Sequence, residues 1–198
     1  MDLFQSRFMF VLEKFTSFFL LNILWLFMCI PIVTIFPATA AMFAVVRQWI
    51  RQEDSSSVFK PFFVHFKDNF KQSFLIGIIW FAILYSIVFN FQLLASIETP
   101  TLNTIMLPFL AIFSILFLFT SFYLFPVMVH FKLPIVGVIK NSFLYSLSKL
   151  HVCLLCLLFV AAGVALFLIY TLTILISFSL VAYFVYRVCH KTFPVENS

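Results

Sequence analysis

The chain has 198 residues, of which 64% are hydrophobic and only 10% charged, and its formal net charge is +5. Soluble domains carry about 25% charged and about 45–50% apolar residues, so a chain of this size cannot hide so much apolar surface and needs lipid around it. The positive balance does not point to nucleic acid, because the lysines and arginines are strung between apolar runs, the placement that the positive-inside rule produces.

Residues 1–14 are short and mixed in charge, with Asp2, Arg7, Glu13 and Lys14. The first apolar segment runs over about 15–30, roughly 24 Å of helix and short for a span. Pro31 disfavours its continuation. Pro37 is placed to open the next helix, where a missing N–H costs nothing. The second segment, about 37–50, starts with Ala38, Thr39, Ala40, Ala41 and Ala44, small residues that permit close helix approach. The two form a short hairpin with an uncharged link. Ala38-Thr39-Ala40 resembles a leader-peptidase site, but the apolar region from Phe15 to Phe36 is too long for the apolar core of a leader, about 7–15 residues, and more spans follow.

The region from Arg47 to Ser73 is the most charged of the chain, and Ser55-Ser56-Ser57 reads as a turn within it. Phe59, Phe62, Phe63, Phe66, Phe70 and Phe74 then recur at helical spacing, with Lys60, Lys67, Asp68 and Lys71 off that stripe. This pattern predicts an interfacial amphipathic helix over Phe59–Lys71, lying in the headgroup region; the other reading is a helix packed on the floor of the bundle. Spans follow at about 74–97 and 105–129, joined by the link 98–104, whose charge is Glu98 alone. Residues 130–151 are again basic, with His130, Lys132, Lys140, Lys149 and His151, and Pro134 opens a second short interfacial helix there. Val152 to Tyr186 carries no charge and no proline. One helix of that length would reach about 52 Å, beyond a tilted span, so two short spans are expected, about 152–169 and 172–187, meeting near Tyr170–Thr173.

The expected fold is therefore all-α: a polytopic transmembrane helix bundle of six membrane segments in one integral membrane domain. In that arrangement the N-terminus, 47–73, 130–151 and 187–198 share one side, and that side holds all 12 Lys+Arg. The opposite links hold none, which orients the chain with N- and C-terminus cytoplasmic. A five-span alternative, with 37–50 on the surface, would set Arg7 and Lys14 opposite the basic loop. An internal echo, Lys71-Gln72-Ser73-Phe74-Leu75 against Lys140-Asn141-Ser142-Phe143-Leu144, fits a parallel repeat of the kind transporters use.

Motifs for chemistry are sparse. No Asp or Glu lies inside a span, which argues against a proton-coupled pump. Asn22, Asn90 and Gln92 are the notable intramembrane polar residues, read first as interhelical hydrogen-bonding groups and second as a substrate site. The four histidines fall near the inner interface without metal-ligand spacing. Cys153 and Cys156 form a C-x-x-C inside an apolar helix, where small apolar fillers are expected. Cys29 lies toward the other face, out of disulfide reach of Cys153, Cys156 and Cys189. No nucleotide loop, nucleophile elbow or carboxylate pair occurs, so neither a reaction nor a cofactor is expected. Arg47, Trp49 and Arg51 read as an inner interface anchor, and with Lys60, Lys67 and Lys71 they are the candidate contacts for anionic lipid or a partner.

Several stretches carry a resemblance. Leu21-Asn22-Ile23-Leu24-Trp25, Pro31-Ile32-Val33-Thr34-Ile35, Pro37-Ala38-Thr39-Ala40-Ala41, Val45-Val46-Arg47 and Phe66-Lys67-Asp68-Asn69-Phe70-Lys71-Gln72 resemble the YesL-like family of bacterial membrane proteins, a family of unknown function. The likeness is specific over about residues 15–76 and compositional beyond. The chain departs from it at Phe36, where the family usually has Gly. The resemblance implies the bacterial cytoplasmic membrane and a non-enzymatic role accessory to a carbohydrate uptake or sensing system, since such proteins are often encoded beside carbohydrate ABC transporters and their sensor kinases. A small-solute transporter is the alternative. The resemblance assigns no catalytic residue.

The orientation is checked with single cysteines in a Cys-free background, probed by an impermeant thiol reagent in intact cells. Glu98→Cys is expected to label and Ser56→Cys to stay protected; the reverse pattern sinks the orientation.

Overall fold

The computed structural model describes residues 2–51, 57–96, 100–170 and 173–194, with the side chains of 2–11 and 100–103 excepted. Its regular elements are all helical: α1 (Asp2–Met28), a 3₁₀ turn (Ile32–Thr34), α2 (Ile35–Arg51), α3 (Phe59–Ser96), α4 (Pro100–His130), α5 (Ile135–Ser148), α6 (Leu150–Ile169) and α7 (Ile174–His190). Among the described residues, four helical stretches are long and apolar enough to cross a membrane: 32–51, 59–96, 104–130 and 150–169. Helix α7 is shorter and also apolar. The protein is an all-α membrane bundle.

Helix α2 lies at its centre. Pro37, Ala38 and every residue from Ala40 to Val46 are buried, and α1, α3, α4 and α7 all pack on it. A helix laid on the membrane surface, as the five-span alternative requires, would leave one face open along its length. The physical reason for the central position is side-chain size: alanines let four neighbours come close without glycine. The hairpin link is also more ordered than a free loop. Thr34 Oγ1 donates to Pro31 O at 2.7 Å, and α2 starts at Ile35, so Pro37 stands inside the first turn, where it removes no helical bond.

Helix α3 differs from the expected pair of an interfacial helix over 59–71 and a separate span over 74–97. It is one helix of 38 residues, about 57 Å long at 1.5 Å per residue. Its one proline, Pro61, stands in the first turn, and its one glycine, Gly77, lies against α2, so nothing between Phe62 and Gly77 breaks the backbone ladder. The basic segment is thereby fused to the span. The 98–104 link is likewise shorter than expected, with helix from Pro100 onward; Glu98 lies outside the described residues, as do Ser55 and Ser56. Helix α4 continues through Pro108 and Pro126, which a lipid-embedded helix tolerates when neighbours restore the freed backbone groups.

Helix α5 follows Pro134 as the sequence predicts. The break to α6 falls at Lys149, with φ −129° and ψ 52°. The expected turn between the last two spans is present: α6 ends at Ile169 and α7 begins at Ile174.

A few polar ties pin the helix pairs. Trp25 Nε1 donates to Thr39 Oγ1 at 3.1 Å between α1 and α2. Trp80 Nε1 donates to Ser121 Oγ at 2.9 Å between α3 and α4. Ser179 Oγ donates to Phe18 O at 2.9 Å between α7 and α1. Gln72 Nε2 donates to Leu133 O at 2.6 Å, joining α3 to the approach of α5. The echoed serines behave alike, Ser73 and Ser142 being fully buried and each bonding the carbonyl four residues back. The echo stops there, since α3 runs on where α5 ends and α6 starts anew.

The Phe36 ring fills the space a side chain at Gly77 would need: a Cβ there would meet Phe36 Cγ at 2.9 Å. Gly77→Val is therefore expected to lower the thermal stability of the detergent-solubilised protein by about 1–3 kcal/mol. Phe36→Ala in the same chain should recover part of that loss. Equal effects of Gly77→Val with and without Phe36 would refute the contact.

Candidate functional site

The three basic segments meet at one end of the bundle. The C-terminal ends of α2, α4 and α7 arrive there together, and α3, α5 and α6 depart from it. Tyr123 of α4 stacks on Tyr145 of α5, with ring centroids 5.8 Å apart, and the Tyr123 and Thr192 hydroxyls lie 3.4 Å apart. Phe193, buried just past α7, packs against His130, Phe131 and Tyr145. This aromatic plug closes the end of the core and sets the positions of the charged side chains around it.

Of the six basic and aromatic candidates, the structure brings two together and sets three apart. Arg47 and Arg51, one turn apart on α2, are half-buried, and their charges act on His190 of α7. The Arg47 Nε atom is buried without a hydrogen-bond partner. Trp49 is half-buried, and its ring meets Phe18 of α1 edge-on at 5.0 Å. Lys60, Lys67 and Lys71 are all exposed, and their spacing of seven and four residues puts them on one stripe of α3. The phenylalanine stripe beside them divides. Phe62, Phe66, Phe70 and Phe74 form an i, i+4 ladder with successive centroids 6.4, 5.5 and 6.0 Å apart. Phe62 is fully buried, while Phe59 and Phe63 face outward. Phe62 in the core and Phe66 packed against it tie this stretch of α3 to the bundle.

The intramembrane polar residues do not converge. Asn22 is fully buried; its Nδ2 donates to Ile174 O across the α1–α7 contact, and its Oδ1 is buried without a partner. Asn90 is exposed on α3, and its Nδ2 donates to Ser86 O of its own helix at 2.7 Å. Gln92 is also exposed. Asn22 and the α3 pair therefore belong to different surfaces. The cysteines are all free. Cys156 Sγ lies 4.0 Å from Cys189 Sγ, a juxtaposition of α6 and α7 that spacing alone does not reveal, and Cys29 sits apart at the hairpin link.

Sequence reasoning also missed a group at the basic end. His130 Nδ1 lies 3.2 Å from Tyr186 Oη, and the His130 and His190 rings are 5.4 Å apart. Each histidine reads alone as an interface residue. The signal that could have joined them is topological: both end a helix that points the same way.

A family model described as "Protein of unknown function, DUF624" matches residues 18–91. "Uncharacterized protein YesL" of Bacillus subtilis (strain 168) is 33% identical over 162 residues, covering 80% of this chain and 75% of that protein. The chain belongs to the DUF624, YesL-like family. "Uncharacterized protein YesV" of the same organism is 30% identical over 161 residues, with 80% and 76% covered. "Uncharacterized protein YteU" is 35% identical over 133 residues, with 66% and 59% covered. No solved structure matches the chain. The DUF624 match spans the hairpin, the central helix α2 and most of α3, including Lys60, Lys67 and Lys71; His130, His190 and Lys191 lie outside it.

The different settings of the two asparagines give distinct expectations. Asn22→Ala should lower thermal stability by about 1 kcal/mol, the usual scale of a buried interhelical hydrogen bond in a membrane protein. Asn90→Ala should shift it by less than about half as much, since it breaks a bond within one exposed helix. Melting curves of the two purified variants check this, and a larger loss from Asn90→Ala would contradict the placement.

Proposed function

We propose that this protein is a non-enzymatic accessory component of a bacterial carbohydrate uptake or sensing system. It sits in the cytoplasmic membrane with both termini inside and docks an ABC transporter or a sensor kinase. The observation that carries the reading is the lysine stripe of α3: three exposed cations on turns that the phenylalanine ladder holds rigid, in a segment within the DUF624 match. A rigid charged stripe at the membrane surface suits docking, because positions are fixed before contact and little ordering entropy is lost. Family context supports the choice of partner, and the positive-inside rule supports the orientation.

A small-solute transporter is the second reading. Asn22 favours it, as a buried amide whose Oδ1 has no partner. The separation of Asn22 from Asn90 and Gln92 weighs against it, because a transported solute needs polar groups that face one cavity.

Crosslinking and pulldown from native membranes tests the accessory reading. The expected outcome is specific capture of a transporter or kinase subunit, lost when Lys60, Lys67 and Lys71 are all changed to Glu while orientation is retained. Saturable solute uptake by proteoliposomes holding this protein alone, abolished by Asn22→Ala, would instead establish the transporter.

A further inference from the structure

A cavity of about 430 Å³ opens at the basic end, lined by Ile50, Arg51, His130, His190, Lys191, Phe193 and Pro194. Its size falls in the range of small-ligand pockets, roughly 300–1,000 Å³. The described lining offers four cationic or cationisable side chains and no carboxylate. We propose that this cavity binds a phosphate-bearing anion, either a free phosphate group or the headgroup of an anionic lipid.

Topology alone asks only for positive charge on one side of the membrane, and exposed lysines such as Lys60, Lys67 and Lys71 meet that demand. The cavity is built differently. Arg51, His130 and His190 are half-buried, come from three separate helices, and are held by packing. Tyr186, fully buried, fixes the His130 ring through its hydroxyl at 3.2 Å. Phe193 packs on that ring at a tilt, with centroids 4.6 Å apart. Ile50, Phe193 and Pro194 supply apolar walls, which lower the local dielectric and strengthen attraction to an anion. An arginine fork and imidazole N–H groups form the charge-assisted hydrogen bonds that suit phosphate oxygens. Lys191 stands exposed at the rim as a point charge.

The field at the site is already positive. His190 lies past Arg187, beyond the apolar part of α7, and its pKa is lowered by burial and further by the charges of Arg51 and Arg47. Grouping these cations costs electrostatic energy in the empty protein, and a bound dianion offsets it. This site is distinct from the α3 stripe and does not depend on the accessory reading.

The test uses the full-length chain in nanodiscs. In one arm, phosphatidylcholine discs are titrated with inorganic phosphate at fixed ionic strength by calorimetry. In the other, discs containing phosphatidylglycerol are examined by native mass spectrometry for retained lipid. Saturable phosphate binding that weakens about tenfold in Arg51→Gln and in His190→Gln, but less than about twofold in Lys140→Gln, an exposed lysine of α5 outside the cavity lining, supports a site for free phosphate groups. Phosphatidylglycerol retained by the parent and by Lys140→Gln, and lost from the same two variants, supports a headgroup site. If either half-buried variant fails to fold, Lys191→Gln replaces it and should weaken binding about fivefold. Absence of both ligands overturns the proposal, and so does a loss in Lys140→Gln equal to that in the cavity variants.

Discussion

Close approach of backbones at α2 is the constraint on which the rest of the bundle depends. In lipid, two helices gain little from hiding apolar surface, because the surrounding tails are as apolar as leucine. What remains is van der Waals contact, and that grows as axes come together. Helix α2 is clothed on its inner faces by Ala38, Ala40, Ala41 and Ala44, all buried, so four helices can gather round it. Larger neighbours supply the interlock: Phe43 stacks on Phe125 of α4, and Phe36 sits over Gly77 of α3. With 31 phenylalanines and 3 glycines in the chain, aromatic knobs do much of the packing that small-residue grooves do elsewhere.

The same economy of polar groups governs the ends. At the basic end, aromatic rings from α4 and α5 and from the segment after α7 make a plug, and cations stand around it. At the other end, Trp25 and Phe178 meet with centroids 4.6 Å apart, and the hairpin link carries no charge. The polar ties among the described residues are few, including two between α1 and α7 and one each between α1 and α2 and between α3 and α4, and they fix rotation of the helices about their axes more than they add stability. The assembly is asymmetric in charge and nearly uniform in apolar character.

Much of this architecture was legible in the residues. The apolar runs already read as an all-α membrane bundle, Pro134 marked the start of α5, and the long uncharged run from Val152 demanded a break near Tyr170. The burial of α2 could be read in its alanines. Continuity of α3 could not, because a periodic phenylalanine stripe looks the same whether it ends in a turn or runs on. The direction of the stripe was also ambiguous, since Phe59 and Phe63 fall on the far side of the same repeat. Neither the meeting of His130 with His190 nor that of Cys156 with Cys189 leaves any trace in spacing, for these pairs are made by the return of α7 across the bundle.

The uninterrupted α3 has a mechanical consequence. A chain that passes from a surface helix to a span through a loop can move the two parts separately, and the loop absorbs the difference. Here the turns bearing Lys60 and Lys67 and the turns bearing Asn90 are one strut. Hydrogen bonds along the whole axis resist bending, and buried side chains from Phe62 to Leu94 hold the helix at several points along its length. A load applied at the charged end is therefore carried along one continuous element instead of being absorbed in a loop.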